Sequence, residues 1–269
     1  MRLVRRLEAW QNGPIDAEEI SVPIQGLHRD LQGFRMAALS DLHLQEAYPR
    51  GPELIEKLAG AGPDLICILG DIVDTRTPSL KPLIPLLEAM PRIAPTVAVL
   101  GNNDYRSALL IPLRAAYAAA GVLLLEDEAR TFHRSQGAVR ILGVQDPVGI
   151  AYGKHVERPS GTPGTQPLGE MTQDPIPTVL LVHQSQEALS YRHQNIALAL
   201  GGHAHGGQFR FPLVGPIYAP GQGFRPQYTS GLYRLDGIDL VVSRGLGNHG
   251  VPIRLWNRPH LPMVTIQCG

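Results

Sequence analysis

The first half of the chain alternates short apolar runs with longer stretches of mixed polarity. The short runs have the length of buried strands and lie at residues 36–39, 65–69, 96–100 and 122–125. The longer stretches have helical composition and lie at residues 52–60, 79–90 and 107–120. This alternation is typical of βαβ units and predicts a largely parallel sheet.

After residue 129 the pattern changes to strands with few helices. The predicted strands lie at residues 131–134, 139–142, 178–182, 196–200, 232–235, 240–243 and 263–267. A second sheet packed on the first would account for both halves. Residues 145–177 are rich in Pro, Gly and Thr and show no period, so they predict a long loop of the kind that is functional or disordered.

Polar side chains follow five of the apolar runs directly. They are Asp41 and His43, Asp71, the run Asn102-Asn103-Asp104, His183, and His203 with His205. Because sites in α/β sheets form at the carboxyl ends of strands, these residues are expected to converge on one edge. Asp-x-His and His-x-His spacings place both side chains on one face if the backbone is extended, and that arrangement can chelate a metal.

The oxygen and nitrogen atoms that these residues offer as ligands narrow the choice of metal. Mixed oxygen and nitrogen ligands suit manganese, iron or zinc better than magnesium or calcium, and the lack of Cys ligands argues against a structural zinc site. Each cluster alone also has a structural interpretation. An Asp after a strand is often a cap, and Gly-Asp or Gly-Asn often ends a strand in a turn. All five clusters in this order, each at a strand end, favour the metal site over those interpretations.

The order Asp-x-His, Gly-Asp, Gly-Asn-x-Asp, His, Gly-His-x-His resembles the calcineurin-like metallophosphoesterases. The segments 206–212, 228–233 and 243–248 are similar to its YkuE- and YaeI-like branch of bacterial phosphodiesterases. The resemblance implies a four-layer α/β/β/α sandwich with two mixed sheets and the metal site at the strand ends. It also implies a dinuclear phosphoesterase that hydrolyses a phosphodiester or phosphoanhydride by attack of a metal-bridging hydroxide.

The resemblance further implies which residues bind each metal, with Asp71 shared between the two ions. One metal would be bound by Asp41, His43, Asp71 and His205, and the other by Asp71, Asn102, His183 and His203. A carboxylate has two oxygens to offer, so Asp71 is suited to bridging, whereas Asn102 supplies one neutral carbonyl.

One position departs from the family pattern. Many members carry His, oriented by the following acidic residue, where this chain has Asn103 followed by Asp104. An amide cannot transfer a proton near neutral pH, so general acid catalysis from this position is lost. Either His249 substitutes, or the leaving group needs no proton, as in an anhydride or activated ester, or the site only binds a phosphorylated ligand. A phosphomonoesterase is the alternative among enzymes.

Composition limits the partners. The 269 residues contain 24 basic and 24 acidic side chains, so bulk charge does not predict a nucleic-acid partner. Two cysteines exclude a disulfide framework. No apolar stretch long enough for a signal peptide or membrane span is found, which predicts one cytoplasmic domain over residues 1–269 and leaves peripheral membrane association open. Aromatic residues within 208–228 form either an apolar wall for a lipid or nucleotide conjugate or a loop covering the sheet end.

Overall fold

The computed structural model describes residues 13–44, 50–152, 165–167, 176–191, 196–248 and 254–269. The strands are β1 (Asp16–Ile24), β2 (Phe34–Leu39), β3 (Leu65–Ile68), β4 (Thr96–Ala98), β5 (Leu123–Leu124), β6 (Glu128–Arg134), β7 (Gly137–Gly143), β8 (Thr165–Pro167), β9 (Thr178–Gln184), β10 (Ile196–Gly202), β11 (Arg210–Phe211), β12 (Gly215–Pro216), β13 (Tyr218–Ala219), β14 (Gly223–Phe224), β15 (Gly231–Leu235), β16 (Ile238–Val242) and β17 (His260–Cys268). The helices are α1 (Gly51–Ala61), α2 (Ile84–Ile93), α3 (Asn102–Arg106), α4 (Leu110–Ala120) and α5 (Pro147–Ala151). Within these residues, no helix is long and apolar enough to cross a membrane.

Two mixed sheets form the centre of the fold. The first has the order β1-β17-β2-β3-β4-β5, with β2 to β5 parallel and β17 antiparallel to β2. The second has the order β15-β16-β10-β9-β7-β6-β8, with β16, β10, β9 and β7 parallel. The carboxyl ends of parallel strands in both sheets therefore provide the edge on which polar residues can collect.

Three apolar cores hold these layers together. One lies between the first sheet and α1, α2 and α4, and a second lies between the two sheets. The third covers the outer face of the second sheet and includes Ala188 of the 3-10 helix Ser185–Tyr191. The predicted α/β/β/α sandwich with two mixed sheets is confirmed, and a 3-10 helix contributes to the outer layer on the second sheet.

Two elements differ from the prediction. One helix starts later than predicted because of proline, and the edge strand β1 was not predicted. Helix α2 begins at Ile84 rather than near residue 79, because Pro82 disfavours helical geometry in the residue before it, whereas Pro85 lies in the first turn of the helix, where its missing N–H group needs no partner. Strand β1 pairs in parallel with β17 at the sheet edge. Its burial alternates from Ile20 to Ile24, which is the period of a half-buried strand and was present in the sequence.

The predicted long loop at residues 145–177 is not wholly irregular. It contains α5 and the edge strand β8, which pairs with β6. Residues 153–164 and 168–175 of that segment lie outside the described residues. The organisation of residues 1–269 as one domain stays a prediction.

Candidate metal centre

Strand ends from both sheets bring the seven predicted ligands together. Asp41 and His43 follow β2, Asp71 follows β3, and Asn102 begins α3 just after β4. From the second sheet, β9 contains His183, and His203 with His205 follow β10. All seven side chains are buried. Convergence at one edge, which the sequence predicted, is therefore observed, although the two sheets contribute to it jointly.

The first group consists of Asp41, His43 and His205, whose potential ligand atoms all lie within 4.8 Å of one another. Nε2 of His43 lies 3.1 Å from Nε2 of His205. Oδ1 of Asp41 lies 3.7 Å from the former nitrogen and 3.5 Å from the latter. One carboxylate oxygen and two imidazole nitrogens thus point at a common volume.

The second group consists of Asp71, His183 and His203, again within 4.8 Å of one another. Oδ2 of Asp71 lies 3.3 Å from Nε2 of His183, and that nitrogen lies 3.1 Å from Oδ1 of Asn102. The same Asp71 oxygen lies 3.7 Å from Nε2 of His43 in the first group. Asp71 is therefore placed between the two groups.

The backbone of this region is not extended. Five residues have φ in the left-handed range: Asp41 at 55°, His43 at 43°, Asp71 at 53°, His203 at 67° and His205 at 48°. The extended backbone on which the predicted chelation depended is therefore not present, although the ligand atoms do come together. Tight turns achieve the convergence instead, and each such conformation costs about 1–3 kcal/mol, which the surrounding contacts must offset.

Hydrogen bonds between neighbouring turns fix these conformations. The backbone N–H groups of Asp41 and His43 donate to the carbonyls of Gly70 and Asp71, each at 3.0 Å. Oδ2 of Asp41 accepts from the hydroxyl of Ser40 and, at 3.0 Å, from the N–H of His203. The turns after strands of both sheets are therefore tied directly to each other.

Close approach at this point requires glycine. A Cβ atom on Gly202 would overlap with Oγ of Ser40 and would lie 2.7 Å from Oδ2 of Asp41. Because a carbon atom cannot occupy that space, a side chain at Gly202 would push β10 away from the turn that contains Asp41. The paired glycines before His203 thus allow the backbone at the end of β10 to lie close to neighbouring turns.

Asp104 binds the backbone around the site. Its buried carboxylate accepts four backbone N–H groups: Asp71 at 2.8 Å, Ile72 and Val73 at 3.0 Å each, and Gly101 at 2.9 Å. Burial and the nearby Asp71 raise the pKa of Asp104 to about 7, while these donors favour its ionised form. The carboxylate holds the turn after β3 and does not orient the side chain of Asn103.

Asn103 also contacts Asp71. Its side-chain nitrogen donates to Oδ2 of Asp71 at 2.6 Å, and its backbone N–H donates to Oδ1 at 2.7 Å. The amide therefore binds the carboxylate that lies between the two groups. His249, the residue predicted as a substitute acid, lies outside the described residues.

Protonation differs among the four imidazoles. Burial lowers the pKa of His203 to about 4 and holds the pKa of His205 well below its ordinary value. Burial acts in the same direction on His183, but attraction and a hydrogen bond to the carboxylate of Asp71 outweigh it and raise the pKa of His183 well above its usual range. Nδ1 of His183 lies 2.8 Å from the carbonyl oxygen of Leu69, so this nitrogen keeps its proton when the imidazole is neutral, and Nε2 faces the site.

These atoms fit divalent metal ions. Within the described residues, Oδ1 of Asp41 is buried without a hydrogen-bond donor and faces the first group. Hydrogen bonding alone favours the opposite orientation of the Asn102 amide, in which its nitrogen would donate to Nδ1 of His203 at 2.9 Å. A cation favours the arrangement observed, with the amide oxygen directed at the imidazole nitrogens. Burial lowers the pKa of His43, but a hydrogen bond to Asp41 and attraction to Asp71 outweigh it and raise that pKa. Metal binding would displace the protons that His43 and His183 then hold, because ligating imidazoles are neutral.

The sequence interpretation missed two buried carboxylates beside the site. Asp74 places Oδ2 4.0 Å from Nδ1 of His43, and Asp146 accepts from the side-chain nitrogen of Gln184 at 2.9 Å. The sequence position of each of these two aspartates could have identified it. Asp74 follows Asp71 closely, and Asp146 follows the apolar run of β7 just as the predicted ligands follow theirs.

Arg254 supports the site without a sequence signal. This buried arginine donates to the carbonyl of Arg244 at 2.9 Å and also to that of Gly247, which fixes the turn between them. The N–H of Gly247 donates to the carbonyl of Asp41 at 2.7 Å. The arginine thus stabilises a turn that packs directly on the first group of candidate ligands.

The sequence profile described as Calcineurin-like phosphoesterase matches residues 34–207, which contain all seven candidate ligands. This chain belongs to the calcineurin-like phosphoesterase family. It is similar to the uncharacterized metallophosphoesterase YkuE of Bacillus subtilis, with 26% identity over 94% of this chain and 86% of that protein. It is also similar to phosphodiesterase YaeI of Escherichia coli, with 27% identity over 87% of this chain and 82% of that protein.

A longer relative shares the same region. The transmembrane protein with metallophosphoesterase domain of Danio rerio is 28% identical over 94% of this chain, which spans 58% of that protein's length. This calcineurin-like phosphoesterase is thus a metal-dependent hydrolase of phosphate esters by family, and its two buried His and Asp groups match a dinuclear centre.

Proposed function

We propose that this calcineurin-like phosphoesterase hydrolyses a phosphodiester or a phosphoanhydride at two divalent transition metal ions. The observation that carries the proposal is the pair of buried groups with Asp71 placed between them. The relative YaeI, described as a phosphodiesterase, supports the diester class. Manganese, iron and zinc all suit the mixed oxygen and nitrogen donors.

Asp71 is the residue proposed to bind both ions. One ion would also be held by Asp41, His43 and His205, and the other by Asn102, His183 and His203. Oδ2 of Asp71 lies 3.7 Å from a nitrogen of the first set and 3.3 Å from a nitrogen of the second, which supports bridging. When bound, the ions would neutralise charge on the phosphoryl oxygens and activate water as the nucleophile.

The protein's own contribution is to hold the ligands in place and to set the protonation state of each. His203 and His205 are kept neutral at physiological pH, because burial lowers the pKa of each. Asp41 and Asp71 are kept ionised, since attraction from the surrounding imidazoles overcomes burial and lowers the pKa of both carboxyls. With neutral imidazoles, the carboxylates of Asp41 and Asp71 offset only part of the charge of two divalent ions, so this ligand set would leave positive charge to attract an anionic phosphate substrate.

Asn103 shapes the proposed substrate preference. Its amide donates to Asp71 and cannot supply a proton to a departing oxygen. Charge must then build on the leaving group, so substrates that expel a stable anion are favoured. Phosphoanhydrides and aryl esters meet this condition, whereas alkyl esters and most monoesters of metabolites do not.

A substrate series with graded leaving groups tests the proposal. Metal-loaded protein is assayed with aryl phosphodiesters of increasing phenol pKa, an alkyl diester, an aryl monoester and a nucleoside diphosphate. We expect hydrolysis that chelators abolish, higher kcat/KM for diesters or anhydrides than for monoesters, and a steep fall in rate as leaving-group pKa rises. Higher kcat/KM for the monoester would indicate a phosphomonoesterase. Tight phosphate binding without turnover would indicate a binding protein and contradict the proposal.

A further inference from the structure

An exposed apolar surface lies beside the metal centre. We call residues 209–226 together with Trp256 the apolar lobe. The exposed fractions of Leu213, Val214 and Phe224 are 109%, 73% and 78%. The other large apolar side chains exposed in the lobe are Phe209, Phe211, Ile217, Tyr218 and Trp256. So many exposed large apolar side chains in one short segment mark an interaction site.

Backbone pairing and aromatic contacts give the lobe a defined shape. It consists of two short antiparallel pairs, β11 with β12 and β13 with β14. The ring centroids of Phe211 and Trp256 lie 6.0 Å apart, and those of Tyr218 and Phe224 lie 5.5 Å apart. Apolar side chains are therefore held outward by ordered structure.

Leu213 shows the cost of this arrangement most clearly. Its φ is 66°, in the left-handed region that is sterically unfavourable for a bulky side chain. Its side chain is also fully exposed, so no side-chain packing against the described residues offsets this strain. A residue with an unfavourable backbone and an unfavourable environment points to a partner outside the chain.

The lobe is attached directly to the candidate metal centre. Arg210 donates to the carbonyl of Gly206 at 3.0 Å, next to His205. Asn257, beside Trp256, donates to the carbonyl of His205 at 2.7 Å. A Cβ atom on Gly221 would lie 3.3 Å from Cδ2 of His203, so the second hairpin touches the centre itself. Whatever binds the lobe lies next to the metal site.

The sequence segment that contains the lobe carries arginines and no acidic side chain. Acidic and basic residues are equal in number in the whole chain, yet no Asp or Glu occurs between Glu187 and Asp236, a segment that contains four arginines. Arg225 is exposed and lines a groove of about 500 Å³ together with Val214, Pro216, Ile217, Phe224 and Pro226. An apolar surface bordered by arginine, without acidic residues in its segment, complements a surface that is apolar inside and anionic at its boundary.

We propose that the apolar lobe inserts into the interface of an anionic lipid bilayer and holds the metal centre against the membrane surface. Leu213, Val214 and Phe224 would enter the acyl boundary, while Tyr218 and Trp256 would lie at headgroup depth, where such amphipathic rings are enriched. Arg225 would contact lipid phosphates. This inference goes beyond the proposed hydrolysis and does not depend on it.

Vesicle binding by the full metal-loaded chain tests the proposal. Binding is measured by co-sedimentation with vesicles of phosphatidylcholine alone and of phosphatidylcholine mixed with phosphatidylglycerol, at low and high salt. We expect clear preference for the anionic vesicles and weakening by salt. Leu213→Asn should weaken binding about tenfold, and combining it with Phe224→Ser about a hundredfold. Arg225→Asn should weaken binding about fivefold, and only to anionic vesicles.

Ile111→Ser provides the matched control, because it removes an apolar side chain that is 69% exposed on α4, outside the lobe. It should leave vesicle binding unchanged. Hydrolysis of a soluble aryl diester should be equal in all these variants, which separates membrane docking from the proposed catalysis. Equal loss from Ile111→Ser and Leu213→Asn would overturn the proposal, as would no binding by the unmodified chain. A concentration-dependent dimer that Leu213→Asn dissociates would assign the lobe to a second copy instead.

Discussion

His205 and Leu213 are separated by only a short stretch of chain, yet the first is 4% exposed and the second 109% exposed. Around His205, charged and polar side chains are buried together. Around Leu213, large apolar side chains are held in solvent. The metal centre buries polar groups and the apolar lobe exposes apolar ones, so each departs from the usual partition of polar groups at the surface and apolar groups inside. Both contain left-handed residues that pay a steric cost in the isolated chain.

The two regions differ in how the fold supports that cost. At the centre, strained turns are tied to each other by backbone hydrogen bonds and by the carboxylate of Asp104, which alone accepts four of them. In the lobe, two hairpins with strands of only two residues each and two aromatic contacts hold the backbone, and the side chain of Leu213 is left exposed. The centre should therefore be essential to folding as well as function, whereas the lobe should be dispensable for stability.

Asp71→Ala should have the largest effect, because it removes a carboxylate that lies between both groups of candidate ligands. We expect a loss of hydrolysis on the order of 10³-fold or more, since several kcal/mol of transition-state stabilisation depend on the ions. Elemental analysis should show both metals depleted, while His43→Ala should retain part of the second. Full metal occupancy in Asp71→Ala would disprove the bridging assignment.

Asp104→Ala should destabilise the fold strongly. Removing the carboxylate leaves buried N–H groups of Asp71, Ile72, Val73 and Gly101 without that acceptor, at about 1–3 kcal/mol for each that stays unsatisfied. We expect a loss of about 3–5 kcal/mol in the free energy of unfolding, measured with denaturant.

The control for this measurement is Asp239→Ala, which breaks the partly exposed ion pair with Arg234 at 3.2 Å. Such a pair contributes about 0–1 kcal/mol, so this variant should unfold almost as the unmodified chain does. Equal losses in both variants would mean that Asp104 does not hold the centre together.

Asn103→His should produce a smaller and selective effect. A histidine here can donate a proton, so poor leaving groups should gain about 10- to 100-fold in rate while good ones change little. Asp104 already accepts four backbone donors, so the new imidazole would lack the carboxylate that orients it in other family members, which keeps the expected gain at the low end. An equal gain for all leaving groups would indicate altered binding rather than proton donation.

Leu213→Asn should have the smallest effect on the isolated protein. Asn tolerates a left-handed φ better than Leu does, and no buried apolar area is lost because the Leu213 side chain is already exposed. The free energy of unfolding should therefore be unchanged or rise by under about 1 kcal/mol. Thermal unfolding measures this change. A clear loss of stability would show that Leu213 packs within the folded chain and would remove the contrast between the lobe and the centre.

Local patterns in the sequence determined the layers of the fold and the positions from which ligands come. Apolar runs such as that of β3 identify strands, and the polar residue after each run identifies a strand end, because both signals depend on neighbouring residues alone. The edge strand β1 carried the same kind of signal in the alternation from Ile20 to Ile24 and was overlooked, as was Asp146 after β7.

Only the tertiary structure decided how those strand ends meet. Left-handed turns at Asp41 and Asp71, rather than extended backbone, bring the ligands together, and they persist because partners distant in sequence bond to them. The hydrogen bonds that Asp104 accepts from residues 71–73, and the one that the N–H of Gly247 donates to the carbonyl of Asp41, are such long-range contacts. The sequence named the residues that could bind metal, and the packing of two sheets determined which atoms face each other, because those distances are set by contacts between segments far apart in the chain.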